Sequence, residues 1–452
     1  MKPIPSRKRI PFVTDLLEFR QMITDPIGYC AEKVEKYGDV CHVPIPGVEN
    51  YLIHDPEVIK EVLVTQAGKF CKSRLYRAMK RFVGEGLLTS EGSLHFQQRR
   101  LVAPAFHRQR VQEYAQTMVN CTVEETKNWK PGEIVNISQA MTNITMQIIT
   151  QTIFGSQIEP GIVVKVSKDI GELIEYSGKI LSNPVYLICL EKDIRLPIIS
   201  TFYRLKKEID SVINGLITDY RKAQIPESTD LLSMLLQSKD EDTGELMSDI
   251  QVKDEVMTMF LAGHETTATS LTWVWYLIGK NPEAEEQFYQ EIIEKIGNRL
   301  PDADDYQTLN FTKNVFKEAL RLYPPAWTFA REATEDVEIQ GYVFPKGAVL
   351  CWLQYIVQRN EKYFANPNDF IPERWDDERI KDLPKYAYFP FGGGHRMCIG
   401  EGFAYMEAVM ILATIASKYR LELPANFNTT INPVVTLRTK DNIIMNVVSI
   451  IN

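Results

Sequence analysis

The segment from Ser248 to Lys280 is the longest helical pattern in the chain, and it limits the possible folds more than any other feature. Ser248 is a favourable N-cap residue, and Asn281-Pro282 ends the pattern. A helix of about 33 residues is about 50 Å long. Residues 256–277 are apolar around most of its circumference, which indicates a helix that passes through a large core. A membrane span is the alternative, but the polar residues 263–267 interrupt the apolar run.

Helical patterns dominate the rest of the chain, and strand patterns are few. We expect helices over residues 55–66, 111–129, 138–154, 199–223, 311–322 and 400–419. We expect a hairpin over residues 40–54 with its turn at Pro46-Gly47, strands at 337–339, 342–344 and 349–352 with a turn at 345–347, and a closing strand pair. Because no linker or repeat divides the sequence, it predicts one mainly α domain over residues 1–452 with a minor β-sheet region.

The charge balance excludes one class of partner. The chain carries 51 basic and 59 acidic residues, a net charge of −8, so no nucleic-acid-binding surface is expected. Basic residues still form two local clusters: Lys72, Arg74, Arg77, Lys80 and Arg81, then Arg99, Arg100, Arg108 and Arg110. Each cluster is either a solvated face or a docking surface for an acidic partner.

The first residues and the cysteines bear on the compartment. Residues 1–10 include several basic side chains, but Pro11, Asp15 and Glu18 follow them instead of an apolar stretch. Neither a signal peptide nor a membrane anchor is therefore expected. The 7 cysteines are scattered without a Cys-x-x-Cys pair, which argues against disulfides and zinc ribbons and favours a reducing compartment. We therefore expect a cytoplasmic protein.

Three glycines and a cysteine, in Phe391-Gly-Gly-Gly-His-Arg-Met-Cys398-Ile-Gly400, come immediately before a predicted helix. Glycines let the backbone approach a flat cofactor closely, and a thiolate is stabilised near a helix N-terminus. Arg396 can reach a carboxylate at the edge of such a cofactor. The alternative is an ordinary turn with a buried structural cysteine. A phosphate loop is excluded because Gly-Lys-Ser/Thr is missing.

This loop resembles the signature of the cytochrome P-450 family, Phe-x-x-Gly-x-Arg-x-Cys-x-Gly. The fixed positions are matched by Phe391, Gly394, Arg396, Cys398 and Gly400. The resemblance implies the mainly α fold of that family, haem b (iron protoporphyrin IX) as cofactor and Cys398 as the ligand of its iron. It also implies a monooxygenase that inserts one oxygen atom of O2 into a C–H bond of an apolar small molecule.

Two further motifs extend the resemblance. Glu318-Ala-Leu-Arg321 matches the family's Glu-x-x-Arg, whose spacing puts both charges on one helix face. Arg374 lies in Pro372-Glu-Arg-Trp375, which is similar to the family's Pro-Glu-Arg segment. The resemblance implies that Glu318, Arg321 and Arg374 form a structural network that supports the ligand loop.

The long helix contains Ala262-Gly-His-Glu-Thr-Thr267 near its middle. A zinc motif His-Glu-x-x-His is excluded because residue 268 is Ala. Gly263 costs roughly 1 kcal/mol against Ala in a helix, which indicates a local opening or a close approach. A threonine hydroxyl bonded back to a carbonyl would bend the helix there. The stretch resembles the family's Gly-x-Asp/Glu-Thr, which implies that Thr266 assists oxygen activation by hydrogen bonding and that Glu265 relays protons.

The resemblance also assigns residues around the cofactor and the substrate. His95, Arg99, Arg331 and Arg396 are implied to contact the haem propionates, although many members have Trp where His95 stands. The positions of the substrate pocket are Phe260, Ala262, Ala326, Trp327 and Thr328. Their mostly apolar character suits a fatty acid, a terpenoid, a steroid or a polyketide. The loop at 296–310 and the Glu-Thr-Thr stretch favour a similarity to bacterial family members that hydroxylate fatty acids.

Two alternative functions remain. A peroxide-dependent hydroxylase or a non-oxidative haem-thiolate enzyme would keep the fold, but such branches often lack the acid–threonine pair that Glu265 and Thr266 provide. A haem-binding sensor would bind ligand without turnover. We expect no fused reductase module, and the resemblance implies a separate ferredoxin or flavodoxin with its NAD(P)H reductase as electron donor. We expect a monomer.

Overall fold

The computed structural model describes residues 2–5, 13–43, 48–155, 160–181, 183–192, 194–223, 230–240, 244–376 and 378–450. The α-helices are α1 Val13–Thr24, α2 Pro26–Tyr37, α3 Pro56–Lys60, α4 Arg74–Val83, α5 Gly92–Val102, α6 Arg108–Thr126, α7 Ile137–Phe154, α8 Pro160–Leu181, α9 Pro184–Glu191, α10 Pro197–Ala223, α11 Leu231–Gln237, α12 Asp249–Lys280, α13 Pro282–Lys295, α14 Asn310–Leu322, α15 Gln354–Val357 and α16 Glu401–Ala416. The strands are β1 Val40–His42, β2 Asn50–Ile53, β3 Phe70–Lys72, β4 Ile134–Asn136, β5 Thr328–Ala333, β6 Val337–Ile339, β7 Tyr342–Phe344, β8 Val349–Leu353, β9 Tyr419–Glu422, β10 Ile431–Pro433, β11 Leu437–Thr439 and β12 Ile444–Ile450. The prediction of a mainly α fold with a minor sheet region is confirmed.

The long predicted helix is confirmed as α12. The Ser248 hydroxyl accepts a bond from the Gln251 N–H, and the Gln251 side chain accepts one from the Ser248 N–H, which is a capping box. Asn281 ends the helix, and α12 buries residues along most of its length, including Trp273 and Trp275. The helix therefore belongs to the core. Among the described residues, no helix combines the length and apolarity that crossing a bilayer requires.

Contacts divide the chain into two compact units, and the first comprises residues 1–75 and 317–398. Its main sheet has the strand order β1-β2-β8-β5-β3, in which β2 and β8 are parallel and the other pairs antiparallel. The hairpin from β1 to β2 confirms the prediction for residues 40–54, but its turn at Pro46-Gly47 lies outside the described residues. Strand β5 was not predicted, because Thr-Phe-Ala-Arg-Glu-Ala has no apolar alternation and only its sheet neighbours hold it extended.

The second unit comprises residues 76–316 and 399–452. Its centre is α12, which packs on α7, and a Cβ on Gly263 would lie 2.9 Å from Ile149 Cδ1 of that helix. This confirms the close approach that a glycine in the helix interior indicated. Around them lies one apolar core that includes Phe154, Phe202 and Phe260. Strands β4, β12 and β9 form a sheet, and β10 pairs with β11. The single domain over residues 1–452 stays a prediction.

Candidate functional site

The loop at residues 391–398, in the first unit, is closed by its own backbone. The Cys398 N–H donates to the Phe391 carbonyl at 2.9 Å, and the Met397 N–H donates to the Gly394 carbonyl at 3.1 Å. The Gly392 N–H donates to the Phe389 carbonyl at 2.8 Å. These bonds fix the path of the chain around the cysteine without using its side chain.

Two glycines of this loop are required by its shape. Gly392 and Gly394 have φ angles of +73° and +66°, a region that residues with a Cβ rarely adopt. A Cβ on Gly394 would also overlap the carbonyl oxygen of Leu63, which lies in the helical turn Glu61–Thr65. A Cβ on Gly392 would meet nothing within 4 Å. Gly394 is therefore needed both for its backbone angle and for close packing of the loop on that turn.

Cys398 differs from the other cysteines in its accessibility. It is exposed, whereas the other cysteines are buried or half-buried. Burial raises the pKa of the Cys41 and Cys121 thiols to about 12 and that of Cys351 to about 11. A metal ligand has to be a thiolate that the metal can reach. Cys398 is thus the cysteine that best meets this requirement.

Two predicted partners of the cofactor's acidic groups also lie in this unit. Arg331 is nearly buried on β5, and its Nη1 donates to the Ala330 carbonyl at 2.9 Å. Arg396 is half-buried within the loop. An accessible thiol, glycine backbone and two arginines are the groups that could hold a haem through a thiolate bond to its iron and through its propionates. The residues present therefore fit that cofactor.

The predicted network around Glu318 is assembled inside the same unit. Glu318 Oε1 accepts bonds from Arg321 Nη2 at 2.7 Å, Arg374 Nε at 2.8 Å and the Ile371 N–H at 3.2 Å. Its Oε2 accepts from Arg321 Nε at 2.9 Å and from Trp375 Nε1 at 3.0 Å. Both oxygens of this fully buried carboxylate are saturated, so its charge is completely compensated by donors.

Arg321 connects this network to the ligand loop. Its remaining N–H groups donate to the carbonyls of Gln358, Pro367 and Asp369 at 2.9, 2.6 and 3.0 Å. The Gln358 amide in turn donates to the Arg321 carbonyl at 3.0 Å and accepts from the Phe389 N–H at 3.2 Å. Because the Phe389 carbonyl accepts from Gly392, a continuous chain of hydrogen bonds runs from Glu318 to the loop.

In the second unit, the middle of α12 opens to one side. Ala262 is exposed, and Leu261, Gly263 and Thr266 are half-buried, although residues 256–260 and 267–275 of the helix are buried. The Thr266 hydroxyl donates to the Ala262 carbonyl at 2.6 Å, which confirms the expected bond back to the helix. Thr267 and Ser270 make the same kind of bond, to the carbonyls of Gly263 at 3.2 Å and Thr266 at 2.9 Å.

Glu265 is buried beside the hairpin formed by β10 and β11. Its Oε1 accepts from the Thr436 hydroxyl at 2.6 Å and from Arg438 Nη2 and Nε at 2.7 and 3.1 Å. His264 is buried next to it, and burial lowers the pKa of its imidazole to about 4, so the ring is neutral at physiological pH. The acid of the predicted pair is thus engaged by residues that the motif did not contain.

His95 and Arg99 lie one turn apart on α5, as predicted. His95 is buried and Arg99 is half-buried. Both could address one acceptor because residues at i and i+4 share a helix face.

Phe260 lines a small apolar cavity in the second unit. The other lining residues are Phe82, Val83, Ile170, Leu173, Ile174, Ser177, Met257 and Leu261. Among them only Ser177 has a polar side chain, and its hydroxyl already donates to the Leu173 carbonyl at 2.7 Å. Ala326, Trp327 and Thr328, in the first unit, are half-buried at the start of β5.

The two basic clusters are partly neutralised. Lys72 is buried, and the side chain of Arg74 lies outside the described residues. Acidic partners engage other members of the clusters through the ion pairs Lys80–Glu85, Arg100–Asp240 and Arg110–Glu113. Arg77, Arg81 and Arg108 are exposed.

Sequence reasoning missed several residues of these sites. Trp375 follows the Pro-Glu-Arg segment directly, so its position was a usable signal. Gln358, Thr436 and Arg438 carried no signal, because their partners are 37, 171 and 173 residues away in the chain.

Comparisons with known proteins agree with the signature of the loop. The family model described as Cytochrome P-450 matches residues 4–446. Cyclooctatin synthase of Streptomyces melanosporofaciens is 34% identical over 402 residues, which are 88% of this chain and 86% of that protein. Cyclooctat-9-en-7-ol 5-monooxygenase of the same organism is 31% identical over 88% of this chain and 85% of its own length. Pentalenene oxygenase of Streptomyces avermitilis is 30% identical over 89% and 88%. The chain therefore belongs to the cytochrome P-450 family of haem-dependent monooxygenases.

Proposed function

We propose that Cys398 provides the thiolate that binds the haem iron. Its exposure, the backbone bonds that hold its loop and the left-handed Gly394 support this role. When bound, the haem supplies the oxygen-activating chemistry, and the thiolate adds electron density to it. Phe391 and Gly400 complete the loop, and Glu318, Arg321 and Arg374 hold it in place from within the fold.

The charged residues assigned to the cofactor divide into two pairs. Arg331 and Arg396 are proposed to bind haem propionates from the first unit, and His95 and Arg99 from the second. Arginine suits this task because its planar guanidinium forms paired, charge-assisted bonds with carboxylates.

Glu265 and Thr266 are proposed as the catalytic pair that manages protons. Thr266 has a hydroxyl on the accessible face of α12, and Glu265 is an adjacent carboxylate that can accept and release a proton. Because both are present, dioxygen rather than peroxide is the proposed oxidant.

The substrate is proposed to be a cyclic apolar terpenoid. The apolar residues around the cavity beside Phe260, whose one polar lining group is already bonded, support an apolar substrate. Ala262, Ala326, Trp327 and Thr328 are also proposed as substrate-pocket positions. Two relatives bear the names of oxygenases of pentalenene and of cyclooctat-9-en-7-ol, and these names favour a cyclic terpenoid over the fatty acid that the sequence suggested.

Electrons are proposed to come from a separate ferredoxin or flavodoxin with its NAD(P)H reductase, in the cytoplasm, to a monomeric enzyme. The exposed Arg77, Arg81 and Arg108 are candidates for contact with an acidic donor protein. Reduction of the haem should slow as ionic strength rises, because salt screens such contacts. A rate independent of salt would exclude this mode of docking.

A titration of the ferric holoenzyme with a cyclic sesquiterpene, palmitate, a steroid and a macrolide tests the substrate class. The terpene should produce the largest shift of the haem spin state at the lowest concentration. Leu173→Phe, which narrows the cavity, should weaken that response, whereas Ile250→Phe on the exposed side of α12 should not. A response to palmitate alone would contradict the proposal.

A further inference from the structure

The hydrogen bonds to Glu265 are distributed unequally over its two oxygens. Thr436 and both donating nitrogens of Arg438 bind Oε1, at distances between 2.6 and 3.1 Å. The described residues give Oε2 no hydrogen-bond donor. One oxygen is therefore held by three bonds while the other keeps its lone pairs available.

The hairpin that supplies these donors has its own anchor on α12. Trp273 Nε1 donates to the Leu437 carbonyl at 2.8 Å, and both residues are buried. Thr436 and Arg438 flank Leu437, and the side chains of both reach the same oxygen of Glu265. The Trp273 bond therefore holds the hairpin on α12 at a point separate from the carboxylate, and the bonds from Thr436 and Arg438 to Glu265 do not depend on it.

Arg438 is much more exposed to solvent than the carboxylate that it binds. The side chain of Glu265 is 6% exposed, whereas that of Arg438 is 43% exposed. A guanidinium does not release its proton under physiological conditions, so Arg438 cannot pass protons on by itself. It can hold the buried carboxylate in place while part of its own side chain contacts solvent.

We propose that Thr436 and Arg438 are positioning residues for the proton relay of Glu265. They fix Oε1, and Oε2 takes up a proton from water and releases it again, so the carboxylate regains its charge in each turnover. This inference rests on the proposed proton role of Glu265 and Thr266. The β10–β11 hairpin would then contribute to proton transfer as well as packing on α12.

Two substitutions separate the positioning of Glu265 from the attachment of the hairpin to α12. Arg438→Gln removes donors to Glu265, and Trp273→Phe removes the bond to Leu437. In the holoenzyme with its electron donors, Arg438→Gln should lower product formed per NAD(P)H consumed several-fold and increase the solvent isotope effect on turnover. Amide hydrogen exchange of residues 431–439 in the resting enzyme should stay unchanged, because the Trp273 anchor remains. Arg438→Lys should restore part of the coupling, and Thr436→Val should show a smaller loss than Arg438→Gln.

Trp273→Phe should give the opposite pattern, with faster amide exchange in the hairpin and unchanged coupling. The inference is overturned if Arg438→Gln keeps the coupling of the parent enzyme, or if Trp273→Phe lowers it equally. Glu265→Gln tells this failure from failure of the proposed function. If Glu265→Gln also leaves coupling unchanged, the relay itself is wrong, whereas a loss only in Glu265→Gln refutes the role of the hairpin alone.

Discussion

Glu318 and Glu265 are both buried glutamates on helices, yet their surroundings differ in kind. Glu318 receives five bonds over both oxygens, from the fully buried Arg321 and from the half-buried Ile371, Arg374 and Trp375. Glu265 receives three bonds on one oxygen from a threonine and a half-exposed arginine. A carboxylate with donors at both oxygens has a structural role, because a proton could bind it only if one of these hydrogen bonds were broken. A carboxylate bound at one oxygen can keep its place and still exchange protons.

The same substitution at both positions should therefore have different consequences. Glu318→Gln removes the charge opposite Arg321, which is also fully buried, and breaking a buried pair costs about 3–5 kcal/mol. Urea unfolding should show this loss in the free energy of unfolding, together with reduced haem content. Glu208→Gln, which breaks the exposed pair with Arg204, is the control and should leave both quantities unchanged. A stable Glu318→Gln enzyme with full haem content would remove the distinction between the two glutamates.

Glu265→Gln should leave the protein folded, because water can solvate the half-exposed Arg438. Product formation with dioxygen should fall about 100-fold, the lower range for loss of a general acid or base. Thr266→Ala should also lower the product formed per NAD(P)H consumed and raise the hydrogen peroxide. The measurement is product and hydrogen peroxide per NAD(P)H consumed, with the carbonyl spectrum as a check of the haem site. Full coupling in Thr266→Ala would refute its role in proton delivery.

The structural role of Glu318 requires that the loop at residues 391–398 depends on its packing within the fold. Gly394→Ala combines a strained backbone angle, which costs about 1–3 kcal/mol, with overlap on the Leu63 carbonyl. Gly392→Ala has a similar φ angle but open space, so it isolates the strain. Gly394→Ala should lose more stability and more haem than Gly392→Ala in parallel unfolding and haem-binding measurements. Equal losses would show that the contact with Leu63 is unimportant.

Glu407 is a third buried glutamate, on α16, and among the described residues neither of its carboxylate oxygens has a hydrogen-bond partner. Burial raises its pKa from 4.5 to about 8, and the nearby Thr267 hydroxyl limits the rise. The folded state therefore holds a proton that the unfolded chain releases, so its contribution to stability is present below pH 4.5 and is lost as pH rises to about 8.

Glu407→Gln should make the fall in unfolding free energy between pH 5 and 8 shallower than in the parent enzyme, measured by urea unfolding at several pH values. Glu422→Gln, at an exposed position on β9, should leave the slope unchanged. A slope that Glu407→Gln does not alter would mean that this carboxyl titrates normally.

The sequence predicts the parts of this molecule that depend on local pattern. The capping residues and apolar length of α12, the turn glycines of the ligand loop and the spacing of Glu318 and Arg321 are all local features. Strand β5 and the donors Thr436 and Arg438 depend on segments distant in the chain, and no periodicity or motif connects them. The glycine at position 394 could be recognised from the motif, but the reason for it, the carbonyl of Leu63, required the fold.

The carbonyl complex of the reduced enzyme tests the central claim, that Cys398 is the ligand of the haem iron. The parent enzyme should show the strongly red-shifted Soret band of thiolate-ligated haem, and Cys398→Ala should lose it. Cys351→Ala, at a half-buried thiol, should keep the band. A thiolate-type band in Cys398→Ala, or an imidazole-type spectrum in the parent enzyme, would contradict the assignment.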